Sequence, residues 1–187
     1  MMEITAGPAR GILLRAPAGL EVRPTSVRAR RALFDSLGPL DGITFADLCA
    51  GSGAMGIEAA SRGARTVIFA ESAAESLRVI RENCSRAAAV GLETDFLPVR
   101  GTLPDSIPLL VREPRPDLIF ADPPYRVSLA LLQSMIGNAA FTRWASDSTL
   151  YWELPSGGGL LPPPVPWKMK EIRTFGSVKF LVLCVND

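Results

Sequence analysis

Residues 47–58 read DLCAGSGAMGIE, with glycines at 51, 53 and 56 in the pattern G-x-G-x-x-G. Glycine at such positions lets the chain turn tightly and lets a ligand approach the backbone closely. The flanks give the pattern its meaning. Upstream, ITFADLC (43–49) is a short apolar run with β-branched and aromatic members, the composition of a buried strand. Downstream, AMGIEAASRG continues as a helix with Gly63 as its stop. Strand, glycine turn and helix in succession open a crossover unit, so a parallel sheet is expected.

The rest of the chain repeats that alternation. RTVIFAE (65–71) is a second buried strand, and AAESLRVIRENCSRAAA (73–89) sets Leu77, Ile80 and Cys84 on one helical face. A third strand falls near DFLPV (95–99), and a fourth is DLIFAD (117–122), bounded by REPRP before it and by two prolines and a tyrosine after it. SLALLQSMI (128–136) reads as helix and STLYWEL (148–154) as a fifth strand. PSGGGLLPPPVPW (155–167) is a loop, not a linker, and KMKEIRTF with SVKFLVLCV form a hairpin around Gly176. The expected fold is α/β: a Rossmann-like, mostly parallel seven-stranded sheet, helices on both faces, and a C-terminal antiparallel hairpin.

One domain, 1–187, accommodates the 187 residues. Ahead of the first core strand, RPTSVRARRALFDSLGPL (23–40) supplies a helix start at Pro24, Thr25 and Ser26 and an apolar stripe of Leu33, Phe34 and Leu37. Residues 1–40 thus form an appendage to a core of residues 41–187. Net charge is only +1, yet residues 1–31 carry six arginines, at 10, 15, 23, 28, 30 and 31, against Glu3 and Glu21. That is a local basic face, whether merely solvated or turned toward a polyanion.

Composition excludes several chemistries. There is no histidine, which removes Ser-His-Asp and Cys-His catalysis and the common histidine metal sites. The three cysteines (49, 84 and 184) are widely spaced and form no C-x-x-C pair, as expected of small apolar residues in a reducing cytoplasm. No apolar run approaches the roughly 18 residues that span a bilayer, and a secretory leader is not evident.

Asp47 precedes the glycines, and Glu71 ends the next strand twenty residues after Gly51. A carboxylate at that second strand tip can accept hydrogen bonds from both hydroxyls of a ribose. Two enzyme classes use the layout. A dehydrogenase would lay a pyrophosphate on the helix N-terminus. A methyltransferase would admit the amino acid and adenosine of S-adenosyl-L-methionine. Asp47 favours the second, since a carboxylate beside the loop repels pyrophosphate and suits a cationic ligand. A tight turn without a ligand is the plainer alternative.

The stretch Asp122-Pro123-Pro124-Tyr125 answers to a different need. The exocyclic amine of a nucleobase is a poor nucleophile, because its lone pair is delocalised into the ring. Two acceptors that hold its N–H bonds let the nitrogen pyramidalise. Asp122 can be one and the Pro123 carbonyl the other, aimed by prolines of restricted φ. An ionised Asp122 also stabilises the positive charge that develops on nitrogen, an interaction realised in the transition state. Tyr125 offers a stacking face for an unpaired base, worth about 1–3 kcal/mol.

At these two motifs the chain resembles the class I methyltransferases of exocyclic amines, whose signature is [Asp/Asn/Ser]-Pro-Pro-[Tyr/Phe/Trp]. The flanks narrow the resemblance. AGPARGILLRAPAGLEVRPTSVRARRALFDSL, DLCAGSGAMGIEAASRGA and RTFGSVKFLVL are similar to the corresponding segments of the RsmD-type 16S ribosomal RNA guanine-N2 methyltransferases, and the similarity runs over nearly the whole chain. It implies cofactor roles for Asp47, Ala50, Gly51, Ser52, Gly53, Gly56, Glu71, Ser72, Thr102 and Asp122. Catalysis would fall to Asp122, Pro123 and Pro124, with Tyr125 against the base. Arg10, Arg23, Thr25 and Arg28 would face RNA, with a small hairpin ahead of them. The chain departs from that pattern at Val27 and Ser72, and at Thr102, where the family has an acid that reads the cofactor adenine. The resemblance implies a cytoplasmic, monomeric enzyme acting on ribosomal RNA or a small-subunit assembly particle. No membrane is involved, and no metal is needed, because the thioether leaves without activation. A DNA adenine or cytosine amino-methyltransferase, and a non-catalytic RNA-binding assembly factor, are the alternatives.

Overall fold

The computed structural model describes residues 2–17, 27–155 and 162–186. Its seven-stranded sheet runs β5-β4-β3-β6-β7-β9-β8, from β3 (Thr44–Leu48), β4 (Thr66–Glu71), β5 (Asp95–Arg100), β6 (Leu118–Ala121), β7 (Thr149–Leu154), β8 (Trp167–Phe175) and β9 (Val178–Val185). The first five pair in parallel, and β9 lies antiparallel to both β7 and β8. Strand order reverses beside β3, where β4 lies on one side and β6 on the other. That opens a crevice at the C-terminal strand ends, the place where such sheets bind ligands. The fold expected from the sequence is therefore present, including the closing hairpin, which turns at Gly176 with φ +64°.

Alternation along the strands builds two cores. Phe45, Val67, Phe69, Tyr151 and Phe180 face one side of the sheet, and Ala46, Leu48, Ile68, Ile119, Trp152 and Leu183 face the other. The first side is covered by α1 (Val27–Leu37), α2 (Ala54–Ser61) and α3 (Ala74–Ala88); the second by α4 (Ile107–Leu110), α5 (Ser128–Ile136) and α6 (Ala139–Trp144). Because both faces are buried, the strands read as continuous apolar runs. The exposed edge strand β8 carries Lys168 and Lys170 and an irregularity between Met169 and Glu171, features that discourage pairing with another chain.

Several boundaries differ from the sequence expectation. The fifth strand starts at Thr149, the third extends to Arg100, and β8 begins at Trp167. Helices α4 and α6 are additions to the sequence reading. Four residues are too few to show a helical period, whereas α6 carries a legible cap: Asn138 accepts from the backbone N–H groups of Ala140 (2.9 Å) and Phe141 (3.1 Å). The expected start of α1 at Pro24, Thr25 and Ser26 lies outside the described residues, as do Arg23 and Glu21.

The amino-terminal hairpin, β1 (Met2–Glu3) with β2 (Leu13–Leu14), docks on α2. Gly7, at φ +74°, passes so close that a Cβ there would lie 1.4 Å from the Ser61 carbonyl oxygen. Beside it, Glu58 is fully buried and holds four groups. It accepts from Thr5 N (2.9 Å), Thr5 Oγ1 (2.6 Å) and Arg62 Nε (2.9 Å), and it faces Arg30 Nε at 3.4 Å. Arg30 also donates through Nη2 to the Glu3 carbonyl. One of the six arginines of that basic stretch is not on a face at all: Arg30 is 1% exposed and braces hairpin against helix, while Arg10, Arg15, Arg28 and Arg31 are exposed.

Candidate active site

Three carboxylates converge at the crevice. Asp47 near the end of β3, Glu71 at the end of β4 and Asp122 just beyond β6 all act electrostatically on Cys49, which follows β3. Burial, then Glu71, Asp47 and Asp122 in turn, push the Cys49 thiol up to about 12, which disfavours the thiolate. Cys49 also sits at φ +63°, a costly conformation for a side chain with a Cβ and one that recurs where a loop serves a site.

The glycine loop is braced rather than lax. Gly51 (φ +56°) and Gly53 (φ +76°) take left-handed conformations, and Gly53 caps α2. Gly56 answers a packing need, since a Cβ there would lie 2.3 Å from Phe69 Cε1. Asp47 is 1% exposed, and its Oδ2 accepts from Gly56 N at 3.0 Å. Burial holds its carboxyl well above the usual range against the opposing pull of that hydrogen bond, and Asp122 and Glu71 raise it further. Asp47 thus supports the loop from behind. Glu71 Oε2 accepts from Gly51 N (2.8 Å), while Oε1 accepts from Ala73 N (2.9 Å) and the Ser72 hydroxyl (3.3 Å). Ala50 and Ser52 are buried in the loop, and Ser72 is exposed beside it.

These residues fit the adenosine part of S-adenosylmethionine. Glu71 is half-buried, and its contact with the exposed Ser72 hydroxyl can give way to a ribose hydroxyl. At the tip of β5, Thr102 is exposed, and Ser106 stacks so closely on Gly101 that a Cβ there would meet Ser106 Oγ at 2.9 Å. The Ser106 hydroxyl is buried without a hydrogen-bond partner among the described residues. The exposed Thr102 hydroxyl is the group at this strand tip that an incoming ligand can reach, where an acid is missing.

Beyond β6, Pro123 is buried and Asp122 half-buried. The Pro124 carbonyl accepts from Val127 N (3.0 Å), whereas that of Pro123 takes no backbone hydrogen bond among the described residues. Tyr125 is 44% exposed, enough for its ring to receive a base, and its hydroxyl donates to Glu153 Oε1 at 3.1 Å. Glu153, 4% exposed on β7, escapes the sequence reading; its signal is an acid inside the apolar run LYWEL. The loop's exit is tied to the same strand. Trp152 Nε1 donates to Ser128 Oγ (2.9 Å), which donates to the Glu153 carbonyl (3.3 Å). Of the expected RNA-facing residues, Arg10 and Arg28 are exposed on the appendage; Arg23 and Thr25 lie outside the described residues. Among those residues, no group of three or more His, Cys, Asp and Glu side chains is placed to hold a metal ion, and no helix is long and apolar enough to cross a membrane.

A sheet of this order, with a braced glycine loop after its central strand, is that of a class I methyltransferase. Known proteins agree. A hypothetical protein of Thermus thermophilus superposes with a TM-score of 0.77 at 28% identity, over 99% of this chain and 100% of that one. The Ribosomal RNA small subunit methyltransferase D of Escherichia coli K12 is 31% identical, over 96% of this chain and 87% of its own. The protein of that name in Haemophilus influenzae is 28% identical, over 96% and 91%. The chain belongs to the family described as Conserved hypothetical protein 95, matched over residues 2–184, and is an RsmD-type methyltransferase.

Proposed function

We propose that this chain methylates the exocyclic N2 amine of a guanine in small-subunit (16S) ribosomal RNA, with S-adenosyl-L-methionine as cofactor. The observation that carries the reading is the pair of acceptors at Asp122 and Pro123 beside the glycine loop, with an exposed tyrosine ring two residues on. When bound, the cofactor supplies an electrophilic methyl group on a sulfonium. The chain's own residues do the rest. Asp122 accepts one amine N–H and the Pro123 carbonyl the other, which pyramidalises the nitrogen and withdraws its lone pair from conjugation with the ring. The Asp122 carboxylate then offsets the positive charge growing on nitrogen. Once the N–C bond has formed, the surplus amine proton leaves by way of Asp122 to solvent. Tyr125 carries the base on its ring. Glu71 holds the ribose, Thr102 offers its hydroxyl to the adenine, and Asp47 keeps the loop in place through Gly56.

The ribosomal substrate is supported by the names of the relatives in Escherichia coli and Haemophilus influenzae. Residues 1–187 act as one cytoplasmic, monomeric unit, in which residues 1–40 meet the RNA through Arg10, Arg23, Thr25 and Arg28. The test is transfer of labelled methyl from S-adenosylmethionine to three acceptors: small-subunit particles and stripped rRNA from cells lacking this protein, and DNA. Label in either RNA, lost with Asp122→Ala, supports the proposal. Label in DNA alone, or cofactor binding with no transfer to any acceptor, overturns it.

A further inference from the structure

We propose that Asn83 is a positioning residue that couples occupancy of the cofactor loop to the seating of the amino-terminal hairpin on RNA. The inference rests on the proposed function above and goes beyond it, since Asn83 is no part of the cofactor, catalytic or RNA-facing residues proposed there. Asn83 lies in α3 and is fully buried. Its Nδ2 donates to the carbonyl of Ser52 (3.0 Å) and to the carbonyl of Arg15 (3.0 Å), and its Oδ1 accepts from the backbone N–H of Arg15 (2.9 Å). Ser52 is the middle residue of Gly51-Ser52-Gly53, and Arg15 directly follows β2. One planar amide therefore fixes the cofactor loop and the end of the hairpin to each other. Hydrogen bonds of this kind weaken beyond about 3.2 Å, so a shift of a few tenths of an ångström on one side is felt on the other.

A second set of contacts reinforces the tie. The Ser52 hydroxyl reaches Met2 Sδ at 3.3 Å on the first hairpin strand. At the far end of α2, Ser61 Oγ accepts from Ala9 N (3.0 Å), and Gly7 leaves no space against the Ser61 carbonyl. The hairpin thus grips α2 at both ends, and α2 begins at the glycine loop. Eight residues after Arg15 in the chain comes Arg23, the start of the segment assigned to RNA. A ligand that settles the loop thereby settles Arg15 and the hairpin end, and by linkage RNA that settles the hairpin tightens the loop by the same factor.

The experiment measures the Kd of labelled S-adenosylhomocysteine by equilibrium dialysis, with and without small-subunit particles from cells lacking this protein. For the unaltered chain, particles should tighten binding by a factor within about 5–150. Arg15→Pro removes the backbone N–H that Asn83 accepts, while Arg15→Ala keeps it. The factor should collapse toward one in Arg15→Pro and persist in Arg15→Ala, with the affinity in the absence of particles alike in both. Asn83→Ala should lose the factor too; if that variant fails to fold, the two Arg15 variants decide alone. Equal factors in Arg15→Pro and Arg15→Ala overturn the inference. So does an unaltered chain that binds both ligands and methylates particles without any coupling, an outcome that leaves the proposed function standing. Failure to methylate any RNA removes the proposed function and, with it, this inference.

Discussion

Glu58→Ala should be among the most damaging single changes in the described part of this chain, for a reason visible in its four contacts. Arg30, 1% exposed, faces Glu58 at 3.4 Å, and its Nε has no hydrogen-bond partner among the described residues. Burial already lowers the Arg30 pKa, and Glu58 is the main force opposing that shift. Removing the carboxylate strands a buried guanidinium, which costs about 3–5 kcal/mol. For a chain of this length each kcal/mol lowers the melting temperature by about 2–4 °C, so a fall of roughly 6–20 °C is expected. Arg62 keeps a second partner in Asp35 at 2.8 Å, so it adds little to the loss. The informative variant is the double one. Arg30→Met in the Glu58→Ala background removes the stranded charge and should restore about 2 kcal/mol. What stays lost, about 1–3 kcal/mol, is the acceptor for the Thr5 N–H and hydroxyl. Thermal and urea unfolding measure both variants. If the double variant is less stable than Glu58→Ala alone, the reasoning is wrong, and the cluster is held by packing rather than by charge balance.

Gly56→Ala drives a methyl to 2.3 Å from Phe69 Cε1 and 2.6 Å from Val67 Cγ1, so it should cost about 1–3 kcal/mol. Phe69→Leu in the same chain should recover part of that loss in thermal unfolding, and no recovery would refute the steric account. Asp47 binds a proton more readily folded than unfolded, because its folded pKa is raised. It therefore erodes stability as pH rises from about 4 toward that raised value, by up to about 1.4 kcal/mol per pH unit. Asp47→Asn should gain on the unaltered chain steadily over that interval; a pH-independent difference between their melting temperatures would contradict the assignment. Tyr125→Ala should lower kcat/KM for RNA by roughly 5–150-fold through lost stacking, while Tyr125→Phe keeps the ring and most of the activity. Equal losses in the two would mean that the hydrogen bond to Glu153, not the ring, is what matters.

The sheet is legible in the sequence because doubly buried parallel strands are written as apolar runs, and RTVIFAE and DLIFAD match β4 and β6 to within a residue at each end. The glycine loop and the Asp122–Tyr125 stretch are legible because each is a local pattern at a strand end. Groups that act across the fold leave no such trace. Glu153 meets Tyr125 from 28 positions away, and Asn83 meets Arg15 from 68. Arg30 looks in sequence like its basic neighbours, and only the approach of Glu58, on a helix 28 residues later, makes it a core residue. In sequence, Asp47 reads as a partner for a cationic ligand. Its position behind the loop, bonded to Gly56, depends on a side-chain direction that spacing does not encode.

The most direct test of the account is nucleoside analysis of 16S rRNA from cells lacking this protein, complemented with the unaltered chain or with Asp122→Ala. The account predicts that one N2-methylguanosine disappears on deletion, returns with the unaltered chain, and stays absent with Asp122→Ala. An unchanged N2-methylguanosine content on deletion, or full restoration by Asp122→Ala, would contradict it.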